Sequence, residues 1–327
     1  MKILWTHNWK PPIYPPLITN TLNILRELNV TIDLEYLGNL KSPQNIYLKK
    51  EHLKKISKNY DLVHSQYGSM CSYITASIDK IPKILSLHGS DLNITNQILT
   101  YDFFHSRLAR FLTTNSLKRY NKVILVSKRM ELDIKTNFPK TETKVMPYPI
   151  DLEKFKIRDK LDSRKKIKVK SNGHRVLFNI ANINETVKRL SLAKDAIEIA
   201  KKTIPDISLH IINDINYDDV PLHVSSGDLT LLTSENEGWP NSIKESLACN
   251  IPFVSTDVSD LREISDIENI CKVCSSNASE IAQNIIEVIQ NKNIYYLRKY
   301  AEKMDIKVFG NKLKNLYKDT IDQYSQF

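Results

Sequence analysis

Two parallel-sheet domains of the α/β class are what this 327-residue sequence predicts. Three observations carry the prediction. Short β-type runs alternate with stretches of helical periodicity along the whole chain, the pattern of parallel strands joined by crossover helices. The length suits two domains of about 150 residues, each able to bury its own core. A polar, Lys-rich stretch, Lys154–Gly173, separates the halves and reads as a linker or exposed loop. The expected division is 1–150, 151–305, and a C-terminal helix over 306–327 that packs back on the N-terminal domain.

In the first half the candidate strands are Lys2–Trp5, Thr31–Tyr36, Leu62–His64, Lys83–Leu87, Lys122–Val126 and Lys144–Met146. A helix from about Pro16 to Leu28 joins the first two, with Leu17, Leu22, Ile24, Leu25 and Leu28 at helical spacing. Pro16 suits its first turn, where a missing N–H costs nothing. The second half repeats the style in Arg175–Ile180, Ser208–Ile212, Leu229–Thr233, Phe253–Thr256 and Ile270–Val273. After Ala278 the chain reads as helical to its end, with a break expected near Phe309-Gly310.

Composition narrows the function. Seven Gly occur where about 23 would be usual, and neither GxGxxG nor GxxxxGK[ST] is present. Phosphate contacts must then come from helix amino termini and cationic side chains. No apolar run reaches the roughly 18–20 residues of a transmembrane helix, and a His and an Asn within the first eight residues interrupt any signal-peptide core. The expectation is a cytoplasmic protein, free or peripheral on the inner face of the cell membrane. Cys71 and Cys249 read as small core residues. Cys271 and Cys274 form a CxxC within a strand, so they point to opposite faces, and no second ligand pair follows to complete a zinc site. Residues 1–150 hold 21 basic and 11 acidic side chains, and residues 151–327 hold 26 of each. The whole net charge of +10 therefore lies in the first half and points to an anionic partner there.

The segment from Leu231 to Asp257 reads strand, turn, helix, strand. Glu237 falls in the turn, and Glu245 stands eight residues later on the helix. At about 100° per residue, eight steps return a side chain to within roughly 80° of its starting direction. Gly238 and Pro240 shape the turn beside Trp239, while Asn241 and Ser242 open the helix with unsatisfied N–H groups. Two carboxylates beside a helix amino terminus suit a ligand that has hydroxyls to bind and phosphates to anchor.

With its surroundings, Glu237-x7-Glu245 in EGWPNSIKESLACNIPFVSTDV resembles the signature of glycosyltransferase family 4. Pro147-Tyr148-Pro149-Ile150-Asp151-Leu152 with Phe155 resembles that family's interdomain stretch, and Val126-Ser127-Lys128 the end of the strand before it. Leu87-His88-Gly89-Ser90-Asp91-Leu92 is similar to its His-Gly turn. Val187-Lys188-Arg189-Leu190-Ser191-Leu192-Ala193 is similar to its Lys-bearing junction, and Val258-Ser259-Asp260-Leu261-Arg262-Glu263 to the segment after the second Glu. The resemblance implies the GT-B fold, two Rossmann-like domains facing across a cleft, and retaining transfer from a nucleotide sugar. It implies that Glu237 binds hydroxyls of the donor sugar, Glu245 the ribose hydroxyls, and Lys188, assisted by Arg189, the departing diphosphate. Gly238, Trp239, Asn241 and Ser242 complete the donor site, and His88 presents its backbone carbonyl near the reacting carbon. His64, which also ends a strand, reads as structural.

The implied mechanism is front-face substitution, in which the departing phosphate takes the acceptor's proton and the protein orients and stabilises charge. The chain has no Asp-x-Asp, so no divalent metal or other cofactor is expected. The sequence departs from the family in three places. The amino-terminal loop Trp9-Lys10-Pro11-Pro12-Ile13-Tyr14-Pro15-Pro16 lacks the usual Gly pair, Asn179-Ile180-Ala181-Asn182 replaces the usual Gly-Arg, and Asn213-Asp214 replaces a Gly-rich turn.

Two basic segments stand out in the first half. In Ile46–Lys58, Lys50, Lys54 and Lys58 share one face and Ile46, Leu53 and Ile56, with Tyr60 just beyond, another; Phe103–Phe111 mixes aromatic and basic residues. Both suit an anionic bilayer, and both also suit ordinary helices with one solvated face. The expected acceptor is a glycan or lipid-linked glycan of cell-surface polysaccharide synthesis. A catalytically weak GT-B subunit that scaffolds an active partner is the alternative. A nucleic-acid-binding protein is the lesser one, since no recognition motif of that class is present.

Overall fold

The computed structural model describes residues 1–12, 14–40, 42–89, 91–92, 101–182, 186–291 and 293–326. Ile13 of the amino-terminal loop and Ser90 of the His-Gly turn lie outside the described residues, as do the side chains of Leu17 and Phe103. The chain forms two compact units, one of residues 1–149 with 306–327 and one of residues 150–305. Among the described residues no helix is long and apolar enough to cross a membrane.

The first unit runs β1 (Lys2–His7), α1 (Pro16–Glu27), β2 (Thr31–Tyr36), α2 (Pro43–Ile56), β3 (Leu62–Ser65), α3 (Ser69–Thr75), β4 (Lys83–Leu87), α4 (Tyr101–Ser116), β5 (Lys122–Leu125), α5 (Lys128–Asn137) and β6 (Thr143–Val145). Its six strands lie in the order β2-β1-β3-β4-β5-β6, every neighbouring pair parallel. β1, β3 and β4 are buried on both faces, which explains their continuous apolar runs. Local chemistry sets the helix starts. Pro16 opens α1, and Ser42 and Ser127 cap α2 and α5 by accepting the backbone N–H groups of Asn45 and Met130.

The second unit runs α6 (Lys160–Lys166), β7 (His174–Asn179), α7 (Leu190–Ala200), β8 (Ile207–Ile212), α8 (Val220–Ser225), β9 (Leu229–Leu232), α9 (Asn241–Ala248), β10 (Phe253–Thr256), α10 (Leu261–Ser265), β11 (Lys272–Cys274), α11 (Ala278–Gln290) and α12 (Arg298–Glu302). Its parallel sheet has the order β11-β10-β9-β7-β8. Both sheets thus have the open, parallel, helix-connected form expected from the alternation of patterns.

Two expectations need correction. The stretch Lys154–Gly173 is not a bare linker, because α6 lies inside it and is anchored by a buried cation. Arg164, 2% exposed, donates to the carbonyls of Ser226, Ser171 and Gly173 and pairs with Asp228 at 2.8 Å. Nor does the chain break at Phe309-Gly310. The interruptions lie between α11 and α12 and just after α12, and the last helix, α13 (Ile306–Tyr324), runs through Gly310 intact. Gly310 sits where a Cβ would meet Ile24 of α1 at 3.0 Å, so its small size serves helix–helix approach. The CxxC thiols are free and buried, which pushes Cys271 up to about 12 and Cys274 up to about 11.

α13 completes the core of the first unit with Phe309, Leu313, Leu316 and Tyr317. The Tyr317 hydroxyl accepts from Trp5 Nε1 at 2.9 Å and meets His64 Nδ1 at 2.7 Å, while His64 Nε2 meets Ser86 Oγ at 2.8 Å. Burial pulls His64 down to about 3, so it is a neutral structural bridge.

Candidate functional site

The carboxylate-bearing turn of the second unit follows β9. Thr233 and Ser234 are fully buried at the strand's end, and each hydroxyl is directed inward. Thr233 Oγ1 donates to the carbonyls of Lys188 at 2.7 Å and Arg189 at 3.0 Å. Ser234 Oγ donates to Glu237 Oε1 at 2.7 Å, and Lys188 Nζ donates to the same oxygen at 2.5 Å. The turn before α7 and the turn after β9 are therefore stitched together, with Lys188 and Glu237 as a half-buried ion pair where they meet.

Arg189 has a different position from its neighbour. Its backbone is left-handed, with φ of 49°, and its guanidinium donates from Nε to Thr233 O at 2.6 Å and from Nη2 to Ser234 O at 2.9 Å. These bonds hold the end of β9, and Lys188 is the cation of this junction that reaches Glu237.

The other end of the turn leads into α9. Ser259 Oγ donates to Gly238 O at 2.6 Å, and Trp239 packs half-buried on the core of the second unit. Pro240 occupies the N-cap and has no side-chain acceptor, so the first-turn N–H groups at Asn241 and Ser242 lack a capping side chain. An uncapped helix start is suited to an anion.

Glu245 lies on the buried side of α9, 9% exposed, and its carboxylate accepts from Asn179 Nδ2 at 3.3 Å. Burial pushes its carboxyl up to about 7, although Lys244, Lys154 and the Asn179 bond pull the other way. Lys244, 2% exposed and 5.8 Å from the Trp239 ring, is pushed down to about 7 by the same desolvation. Sequence reasoning did not single out Asn179, Ser234 or Lys244. Asn179 was marked only as standing, at the end of the unit's first strand, where the family has its Gly-Arg.

In the first unit His88 follows β4, in a turn organised by Asp91. That carboxylate accepts from the backbone N–H groups of His88, at 3.1 Å, Gly89, at 3.0 Å, and Gly68, at 3.2 Å. Gly89 has φ of 112°, a region closed to side chains, and a Cβ on Gly68 would lie 2.6 Å from Thr113 Oγ1. The His88 ring stacks on Tyr148 at 4.7 Å, and its Nε2 lies 2.6 Å from the Gln66 carbonyl and 2.8 Å from the Tyr148 hydroxyl. A carbonyl only accepts, so Nε2 carries the proton, and the neutral ring keeps Nδ1 as acceptor. Burial lowers the ring's pKa despite the nearby Asp91. Among the described residues no group of three or more His, Cys, Asp or Glu could hold a metal ion.

Comparison with known proteins agrees with this architecture. Sucrose-phosphate synthase from Thermosynechococcus elongatus superposes with a TM-score of 0.80 at 12% identity, covering 98% of this chain and 99% of that one. HepE of Anabaena, solved in complex with UDP and glucose, gives 0.74 at 14% identity, covering 98% and 100%. Two parallel-sheet Rossmann-like units arranged in this order along the chain define the GT-B class. Residues 3–154 match the family described as Glycosyltransferase Family 4, and residues 193–291 match Glycosyl transferases group 1. The chain belongs to these glycosyltransferases. N-acetyl-alpha-D-glucosaminyl L-malate synthase of Bacillus anthracis is 22% identical over 274 residues, 73% of this chain and 68% of that protein.

Proposed function

We propose that this glycosyltransferase uses a nucleotide-sugar donor, retains the anomeric configuration, and glycosylates a hydroxyl of a glycan or lipid-linked glycan in cell-surface polysaccharide synthesis. The observation that carries the reading is the Lys188–Glu237 pair in the turn that leads into the uncapped start of α9, with Glu245 on that helix. Glu237 takes hydroxyls of the donor sugar and Glu245 those of the ribose, since a carboxylate accepts from both members of a diol. Lys188 and the first-turn N–H groups of α9 neutralise the leaving diphosphate. UDP bound to HepE supports a nucleotide donor of this type. In the reaction the anomeric carbon loses its bond to the phosphate oxygen and gains one to the acceptor oxygen, while the acceptor's proton passes to the departing phosphate. Within the first unit, the His88 turn offers a fixed backbone carbonyl and a neutral ring.

A thermal-shift screen against UDP-, GDP- and other nucleotide sugars, followed by turnover with the donor that stabilises, tests this. Glu237→Ala and Lys188→Ala are expected to lower kcat/KM at least about 100-fold, the loss of roughly 3 kcal/mol of charged hydrogen bonding. Unchanged turnover in Glu237→Ala would remove the site assignment. Turnover is expected to be insensitive to chelator.

The basic first half is the membrane-facing half of this proposal. On α4, Phe104, Leu108 and Phe111 are 60%, 56% and 62% exposed at helical spacing. Phe111 also lines a cavity of about 730 Å³ with Phe138, Lys118 and Lys140. Apolar side chains rimmed by lysines suit the anionic inner face of the cell membrane. Co-sedimentation with phosphatidylglycerol vesicles should weaken in salt and in Phe104→Ser/Phe111→Ser. Equal binding to phosphatidylcholine vesicles would count against it.

A further inference from the structure

The basic excess of the first half is unevenly neutralised. Lys2 pairs with Asp33, Lys49 with Glu35, Lys54 with Glu51 and Lys122 with Glu142. Among the described residues Lys50 and Lys118 have no carboxylate partner, and Arg119 meets Asp79 only at 4.0 Å, where both side chains are more than half exposed. An exposed pair at that distance contributes little.

These three cations come from different elements and line one cavity of about 290 Å³. Lys50 stands in the interior of α2, Tyr73 and Ser77 at the end of α3, and Asn115, Lys118 and Arg119 at the end of α4 and in the turn after it. Lys50 Nζ lies 4.4 Å from the centre of the Tyr73 ring, which fixes the ammonium on the cavity wall. Among the described residues no carboxylate lines the cavity. A fourth cation is close by: burial lowers the pKa of Lys83, 8% exposed, and Arg119 adds to that effect while Asp79 opposes it. Lys118 and Arg119 follow the carboxyl end of α4, where cations offset the helix dipole, and for those two that role would suffice. Lys50 caps nothing. Three cations gathered without a counter-charge repel one another, and an anion between them removes the repulsion.

The cavity is set apart from the sugar chemistry. α3 and α4 end where the chain turns into β4 and β5, so the cavity lies at the amino edge of the sheet. The His88 turn lies at the carboxyl edge, where open α/β sheets take their ligands. Asn115 and Lys118 also line the cavity of about 730 Å³, whose other walls include Phe111, Leu117 and Phe138. A basic recess and an apolar one thus share a wall.

We propose that Lys50, Lys118 and Arg119, with the Asn115 amide, form a binding site for the phosphate group of a phosphate ester. A phosphate accepts several charge-assisted hydrogen bonds at once, two of them from one guanidinium. The ester can be a soluble metabolite or a lipid headgroup, and the apolar recess beside the cations favours the lipid. None of the residues proposed for the donor takes part.

The full chain is titrated calorimetrically, at constant ionic strength, with glycerol 3-phosphate and with dihexanoylphosphatidic acid, a short-chain lipid carrying the same phosphate monoester. Saturable binding with a Kd of about 1 mM is expected for the first probe. The second should bind at least about tenfold more tightly, because its chains leave water, and Phe111→Ser should remove that gain. Lys50→Ala/Lys118→Ala should weaken both probes at least about tenfold. Ser77→Asp keeps every cation, adds a carboxylate to the wall, and should weaken both probes likewise. Equal affinity for the two probes would keep the pocket and assign it to soluble esters. Absence of saturation up to about 50 mM, or parent-like binding in both cavity variants, overturns the proposal. Binding that is lost in Lys188→Ala but kept in the cavity variants would put the phosphate at the donor residues and overturn it too. UDP should bind Lys50→Ala/Lys118→Ala as it binds the parent, so failure of the donor reading is seen separately from failure of this one.

Discussion

In the role proposed for it, Glu245 is a carboxyl whose work requires charge in a place that resists it. Its pKa is raised to about 7 by burial on α9, yet a ribose diol is best held by the ionised form. The KM for the donor that the screen selects should therefore fall about tenfold between about pH 6 and pH 8 as the carboxylate forms. Glu245→Gln should flatten that profile at the weak end. Lys244→Met removes a cation that lowers Glu245, so its midpoint should move to higher pH; a midpoint that stays put would argue against the coupling. The linked stability has the opposite sense. A carboxyl raised above its usual 4.5 contributes stability below that value and loses it as pH rises through about 7. Glu245→Gln should accordingly be more stable than the parent at pH 8, though weaker in binding. At this scale the sequence was legible where spacing carries meaning. Glu237, Glu245 and Lys188 could be named because a carboxylate-turn-helix pattern and its family resemblance point to them. Arg189 was not legible beyond its charge. Its contact with two backbone carbonyls follows from a left-handed residue at the start of α7, which no residue pattern announces.

Among the elements, α6 shows why composition alone misreads a segment. Lys154–Gly173 is polar enough to pass for a linker, yet one of its cations is among the most buried side chains of the second unit. Arg164 satisfies three carbonyls and pairs with Asp228, which also accepts from Lys160 Nζ and Arg175 N. Removing the guanidinium leaves those buried acceptors unpaired. Arg164→Met should cost the second unit about 3 kcal/mol in urea unfolding. Lys160→Ala, which breaks only the half-exposed contact to the same carboxylate, should cost under about 1 kcal/mol. Equal losses would mean that α6 is held by its surface charge rather than by its buried one. The strands, by contrast, were all readable: β3, β4, β9 and β10, buried along their length, demand continuous β-branched and apolar runs, while β2 and β8 are partly buried edge strands. Their ends shifted by a residue or two, where hydrogen bonding and not hydropathy decides the boundary.

The largest feature of the molecule is that its last helix belongs to its first unit. Residues 306–327 complete the core that residues 1–149 begin. The sequence announced a C-terminal helix returning to the first half; the polar contact it makes there, between Trp5 and Tyr317, 312 positions apart, no residue pattern announces. The Tyr317 hydroxyl joins Trp5, on β1, to His64, on β3, and through it to Ser86 on β4, so three adjacent strands and α13 share one buried hydrogen-bonded chain. Removing that hydroxyl strands a buried indole N–H and an imidazole nitrogen together. Tyr317→Phe is therefore expected to destabilise the first unit by about 2 kcal/mol, more than the deletion of a single exposed hydrogen bond. Because the two units have separate cores, the loss should appear in the unfolding of the first unit, read at Trp5, while Trp239 unfolds as in the parent. A double variant with His64→Leu tests whether the chain acts as a network. If its members support one another, the combined loss is smaller than the sum of the two single losses, since either change alone already breaks the same chain. Additive losses would show three independent contacts, and the last helix would then be held by its apolar face alone.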